Sequence, residues 1–422
     1  MAVRAKRGDD ASVARDARPA GRRLARLALL GPAFVASIAY VDPGNVAANV
    51  TAGARHGFLL LWVLVLANLM AMLIQYQSAK LGIVTGRSLP ELLGERMRRP
   101  ARLAFWAQAE IVAAATDVAE VVGGAIALNL LFGVPLVAGG VVIGCAGMAL
   151  LALQTRGQRR FEFAVMGLLA VIAVGFVAGS AAAPIDGAAL AGGLVPRFDG
   201  AGSVVLAASM LGATVMPHAI YLHSSLTRDR HRADKSQRHR RALLAANRVD
   251  VVVALAIAGV VNVAMLVLAA TSLAGALGTD TIAGAHAAIV GALGPAIGVA
   301  FAVGLLASGL ASSSVGSYAG AVVMGGLLKL RVPLLLRRAI TILPAIVVLA
   351  LGVDPTWALV ISQVVLSVGI PFALVPLIRL TGSREVMGES RDGAITRVAA
   401  AVVAAAVIVL NGVLLGVWAF GG

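Results

Sequence analysis

Residues 37–45 read Ser37-Ile38-Ala39-Tyr40-Val41-Asp42-Pro43-Gly44-Asn45, a helix breaker set inside an apolar stretch. Proline has no backbone N–H and crowds the turn before it, and the adjacent glycine lets the chain unwind. A second stretch repeats the device: Gly212-Ala213-Thr214-Val215-Met216-Pro217-His218. A carboxylate such as Asp42 is expensive in lipid unless it has a partner. No Lys or Arg lies within one helical turn of it, so a bound cation is a natural partner.

The surroundings of these two stretches call for lipid. Of 422 residues, 59% are hydrophobic and 13% charged, with a mean hydropathy of +0.92, whereas soluble domains carry about 25% charged residues. Spans of roughly 20 apolar residues are predicted at 24–53, 58–83, 104–131, 135–154, 161–183, 201–227, 247–276, 286–328, 333–352, 356–380 and 395–420. The eighth is too long for one simple crossing, so part of it is expected to form an external helix or loop. With the N-terminus inside, all but Arg55 and Arg197 of the 35 basic residues fall on the inner side. The positive-inside rule therefore predicts eleven helices in a cell inner (plasma) membrane, with the N-terminus cytoplasmic and the C-terminus external. Residues 1–23 read as a cytoplasmic basic tail and 228–247 as a charged cytoplasmic linker. The +15 net charge lies in short runs between apolar stretches, which argues against nucleic acid as a partner. The single cysteine, Cys145, excludes an intrachain disulfide framework.

The two breaks fall in spans one and six of eleven, matching places in two five-helix halves. Halves with odd span counts face opposite ways, the pattern of an inverted-repeat transporter with its site where the broken helices meet. The repeats are expected at about 24–183 and 201–380, with an extra helix at 395–420. A plain proline kink is the bland alternative for either break taken alone. Unwinding frees the carbonyls of Ala39 and Ala213, and carbonyls ending a half-helix favour a cation. Asp42 adds an anionic oxygen and Asn45 a neutral one. Met216 would add a soft sulfur, tilting the site from Mg²⁺ or Ca²⁺ towards Mn²⁺, Fe²⁺, Co²⁺ or Cd²⁺. Methionine is also a common core filler, and position alone leaves the choice open.

Span three carries Glu110, Asp117 and Glu120 on one helical stripe, and Arg337 and Arg338 open span nine. A structural salt-bridge network and a proton path both fit this pattern. His218 adjoins the second break, and an imidazole titrates near neutral pH. His223 fits either a supporting or a packing role. His231 and His239 are expected to be solvated, and His56 and His286 to be external.

These residues carry a specific resemblance. Asp42-Pro43-Gly44-Asn45 and Met216-Pro217-His218 resemble the two signature motifs of the Nramp family of proton-coupled divalent metal transporters, whose bacterial members are manganese importers. The likeness extends to Gly31-Pro32-Ala33, Asn68-Leu69-Met70-Ala71, Thr116-Asp117-Val118-Ala119-Glu120, Tyr221-Leu222-His223-Ser224 and Ser362-Gln363-Val364-Val365-Leu366. It implies an all-α, LeuT-like fold of 5+5 inverted repeats with helices one and six unwound at mid-membrane. It implies metal binding by Asp42, Asn45 and Met216 and the carbonyls of Ala39 and Ala213, with Gln363 approaching the metal. It also implies a proton path from Asp42 and His218 through Glu110, Asp117 and Glu120 to Arg337 and Arg338. Ala219, Leu310 and Gly325 depart from the residues common in the family, Asn, Gln and Glu respectively.

The function expected is secondary active import of divalent transition metals, Mn²⁺ foremost, with proton flow and alternating access. The cargo is metal and proton, and no prosthetic group is implied. A monomer in the lipid bilayer is expected. No P-loop, Ser/His/Asp set or redox-cofactor motif marks an enzyme. A Na⁺-coupled carrier of an organic solute would leave Met216 unexplained, and a hard-ion carrier would predict its loss.

Overall fold

The computed structural model describes residues 31–155, 157–230, 237–274, 278–279, 281–330 and 332–420. The tail at 1–23, the first residues of span one at 24–30 and His231 lie outside the described residues.

The chain is helical along its described length. The first span is broken into α1 (Pro32–Ser37), a tight turn at Ile38–Val41, and α2 (Pro43–His56). There follow α3 (Leu61–Thr85), the short α4 (Leu89–Arg96), α5 (Arg99–Phe132), α6 (Leu136–Thr155), α7 (Gln158–Ala182) and the short α8 (Gly187–Gly192). The sixth span is α9 (Gly200–Thr214) and α10 (Pro217–Arg230). The rest comprises α11 (Gln237–Ser272), α12 (Ile282–Leu293), α13 (Pro295–Leu328), α14 (Leu334–Thr341), α15 (Leu343–Ala350), α16 (Pro355–Gly382), α17 (Arg384–Met387) and α18 (Ala394–Phe420).

Among the described residues nine helical stretches, with α9 and α10 taken as one, are long and apolar enough to cross a membrane. The broken first span and the ninth, α14 with α15, bring the crossings to the expected eleven. The ends follow local chemistry. Prolines open α1, α2, α13 and α16, where a missing N–H costs nothing. Gly86 and Gly133 close α3 and α5 in the left-handed conformation. Ser88 and Glu91 form a capping box at the head of α4.

Three boundaries differ from the sequence reading. The linker expected at 228–247 is helical from Gln237, so the seventh span runs to Ser272 and begins well before 247. Its run of Ala and Leu between the arginines has high helix propensity, which outweighs the charge. The third span extends to Arg99–Phe132, about 51 Å at helical rise, well past the lipid core. The ninth breaks at Ile342, where Pro344 starts a new helix. The long eighth stretch divides as expected, with α12 turning at Gly294–Pro295 into α13.

Apolar side chains fill the core and also face outward, and polar ones are buried among the core residues. Phe163, Val174 and Ile395 are exposed, while Asn49, Gln75, Ser308, Ser312 and Arg338 are buried. Several of these interior polar groups lower their cost by bonding to one another or to backbone carbonyls, as Asn49, Gln75, Ser308 and Ser312 do. At Gly309 of α13, an added Cβ would lie 2.9 Å from Cα of Gly124 in α5. That close approach sets the α5–α13 contact against which the first break lies.

Candidate metal site at the two helix breaks

Pro43 and Pro217 shape the site by what they lack. In a continuous helix the N–H of residue 43 would bond the carbonyl of Ala39, and that of residue 217 the carbonyl of Ala213. Neither N–H exists, so two carbonyls, one on each broken span, are left free. Asp42 leaves the helix (φ −70°, ψ 167°) and caps α2, its Oδ1 accepting from the Asn45 N–H at 2.8 Å. Val215 is likewise unwound (φ −98°, ψ 82°) between α9 and α10.

The two free carbonyls meet at one atom. Asn45 Nδ2 donates to Ala213 O at 2.9 Å and to Asp42 Oδ1 at 2.7 Å, and lies 3.5 Å from Ala39 O. Three oxygens, one from a carboxylate, thus converge on a group carrying positive partial charge. A cation is the species that such a cluster suits best. Asp42 Oδ2 and Asn45 Oδ1 are both buried without a hydrogen-bond partner, so each holds unused acceptor capacity. Turning the Asn45 amide over would bring its oxygen to the cluster in place of the NH₂ group.

Met216 is wholly buried in the link between α9 and α10. Gln363 of α16 lies beside the Asp42 carboxyl, and both its amide atoms are buried and unsatisfied. Gly44 makes this approach possible, since a Cβ there would overlap the Gln363 amide. The structure thus brings Asp42, Asn45, Ala39, Ala213 and Gln363 together. Among the described residues no cluster of three or more His, Cys, Asp or Glu could hold a metal, so this set has one carboxylate and mostly neutral donors.

The acidic stripe is partly paired. Asp117 bonds Arg338, which also bonds Ser313, and Glu110 bonds Arg337. Arg337 further donates to Ser317 O at 3.3 Å. Glu120 is fully buried near Asp117, Arg338 and Asp42, yet neither of its oxygens has a well-formed hydrogen bond. His218 is buried at the head of α10 with both ring nitrogens unpartnered. Among the described residues no hydrogen bond joins it to Asp42 or the acids.

Sequence reasoning missed the supports of the first break. Tyr40 O accepts from Asn262 Nδ2 of α11 at 2.7 Å, and Val41 O from Ser308 Oγ of α13 at 2.6 Å. Asn49 donates to Asn262 Oδ1 at 2.8 Å. Gln75 donates to Tyr40 Oη at 2.7 Å, and its own oxygen lies 2.9 Å from His223 Nδ1, which gives His223 a bonded, supporting place. The available signal was a neutral polar residue deep in an apolar span, a weak one.

Comparison with known proteins decides the family. The profile described as natural resistance-associated macrophage protein-like, Nramp, matches residues 33–416. The divalent metal cation transporter MntH of Mycobacterium tuberculosis is 59% identical over 388 residues, covering 92% of this chain and 91% of the relative.

This chain belongs to the Nramp family.

A crystal structure of the Eremococcus coleocola manganese transporter superposes with a TM-score of 0.86 at 30% identity, covering 93% of this chain and 87% of that one. MhsT in complex with L-phenylalanine superposes with a TM-score of 0.60 at 14% identity, covering 91% of this chain and 98% of that one; this likeness bears on fold alone. The fold is therefore the LeuT-like one, with helices one and six unwound, and the relatives are named as transporters rather than enzymes.

Proposed function

We propose that this Nramp protein is a secondary carrier that imports divalent transition-metal ions, Mn²⁺ foremost and Fe²⁺, Co²⁺ and Cd²⁺ besides, across the cell inner membrane. The observation that carries this reading is the convergence of Asp42 and the two proline-freed carbonyls on one point, with Asn45 Oδ1 in reserve. The names of the relatives agree with it. Asp42, Asn45, Met216 and the carbonyls of Ala39 and Ala213 bind the ion, and Gln363 closes on it. Met216 supplies the sulfur that favours Mn²⁺ over Ca²⁺. A Na⁺-coupled organic-solute carrier would leave this residue without a role.

Proton flow accompanies the metal. A divalent ion beside Asp42 favours its ionised form and displaces its proton. His218 and the unpaired Glu120 offer the next stations, and Asp117, Glu110, Arg338 and Arg337 continue the path. Alternating access comes from movement of the two inverted repeats, 24–183 and 201–380, about the breaks, with 395–420 as an added helix. The N-terminus is cytoplasmic, the C-terminus external and the carrier a monomer.

The test is Mn²⁺ uptake by protein in liposomes, with internal pH followed in parallel. Wild type should take up Mn²⁺ and acidify the lumen, and Asp42→Ala should do neither. Absence of Mn²⁺ uptake by wild type, or equal uptake by Asp42→Ala, would overturn the reading.

A further inference from the structure

The face of α11 turned away from the site carries two features outside the metal site. At one end a cavity of about 380 Å³ is lined by Arg240, Arg241 and Leu244 of α11 and by the loop at 387–390. The loop is anchored where Asp392 accepts from Lys80 Nζ at 2.7 Å and Gln77 Nε2 at 2.9 Å. Glu389, the acid in this lining, already has an interaction of its own. Among the described residues Arg240, Arg241 and Arg248 form no ion pair; Arg248 lies over the Tyr76 ring of α3, 5.8 Å from its centroid. Further along the same seam a groove of about 320 Å³ runs between α3 and α11. Its walls include Val65, Leu69 and Met72 on one side and Ala256, Val260 and Val263 on the other.

The two features line up. Val249, Val252 and Val253 are exposed and continue the stripe from Arg248 to the groove. Ala256 is about 12 Å along the helix from Arg248, within the ~15 Å half-thickness of a hydrocarbon core. Basic cavities between helices on the inner side suit anionic headgroups, and an acyl chain suits the groove below. We propose that an anionic phospholipid docks in the α3–α11 seam, its phosphate held by Arg240, Arg241 and Arg248 and one acyl chain in the groove.

The consequence lies on the other faces of the same helices. Asp250 of α11 accepts from the N–H groups of Gly31 and Ala33 at 3.1 and 3.0 Å, fixing the head of α1. Asn262 of α11 and Gln75 of α3 both hold Tyr40 in the unwound turn. A lipid in the seam therefore braces the two helices that hold the first break. The inference rests on the orientation proposed above, with the basic face towards the inner leaflet. It does not depend on which ion is carried.

The test measures lipid retention by the purified full-length chain, using native mass spectrometry with phosphatidylglycerol and phosphatidylcholine. One phosphatidylglycerol should be retained in preference to phosphatidylcholine. Arg241→Gln/Arg248→Gln should lower retention by on the order of tenfold, and Ala256→Trp, which fills the groove from an exposed position, should lower it too. Arg98→Gln/Arg99→Gln, an equal charge change at exposed sites elsewhere, should leave it intact. Equal retention of phosphatidylcholine, equal loss in both arginine pairs, undiminished retention in Ala256→Trp, or displacement by inorganic phosphate alone would each overturn the proposal. All of these readouts are independent of metal transport.

Discussion

Pro43 and Pro217 act on the site without touching it, each by withholding one N–H from the carbonyl four residues earlier. This is why Ala39 and Ala213 could be named from sequence: the offset is fixed by helix geometry, and any side chain at those positions would leave the carbonyl in place. Asp42 and Asn45 were legible because ionisable and amide groups beside a mid-span break have few other purposes. Asn262 and Ser308 were not, although they satisfy the next two carbonyls, Tyr40 O and Val41 O. A neutral polar residue in an apolar span has no spacing that names its partner. Met216 yields the sharpest prediction at this scale. Replacing its soft sulfur in Met216→Ala leaves an oxygen-rich site closer to what Ca²⁺ takes. The ratio of Mn²⁺ to Ca²⁺ uptake in liposomes should fall by on the order of tenfold, the equivalent of about 1.4 kcal/mol. An unchanged ratio would make Met216 a packing residue.

Helices here are interrupted more often than their hydropathy shows. The break in the ninth span at Pro344 is flanked by apolar residues on both sides, so a window of composition reads the stretch as one crossing. The opposite error at 237–247 came from charge: arginines on an exposed helical face look like a solvated linker. A missing backbone bond also marks α16, the continuous helix that brings Gln363 to the site. Pro371 within it frees the Ser367 carbonyl, and Asn411 of α18 donates its Nδ2 there at 2.6 Å while accepting from Ser367 Oγ. The helix outside the two repeats thus completes a bond that α16 lacks. Asn411→Leu should lower thermal stability by about 1 kcal/mol through the unpaired carbonyl. In a Pro371→Ala background the backbone supplies the bond, and the same change should cost much less. Equal costs in both backgrounds, read from melting curves, would remove Asn411 from this role.

For the whole molecule, the class and the crossings were legible because lipid constrains both so tightly. Apolar length fixes the spans, and the distribution of arginine and lysine makes any other span count incoherent. What composition could not show is how the interior pairs up. The spacing of Glu110, Asp117 and Glu120 predicts a shared stripe, but not that the first two bind Arg337 and Arg338 while Glu120 goes without a well-formed bond. That depends on how α5, α13 and α14 pack, set by small residues whose sequence pattern is faint. The central claim is that the cargo binds where the two repeats meet, between the breaks of spans one and six. The most direct measurement is the anomalous scattering of Mn²⁺ in crystals of this protein. One peak within ligand distance of Asp42, Asn45, Met216 and the Ala213 carbonyl is the predicted result. A peak among Glu110, Asp117 and Glu120, with none between the breaks, would contradict it.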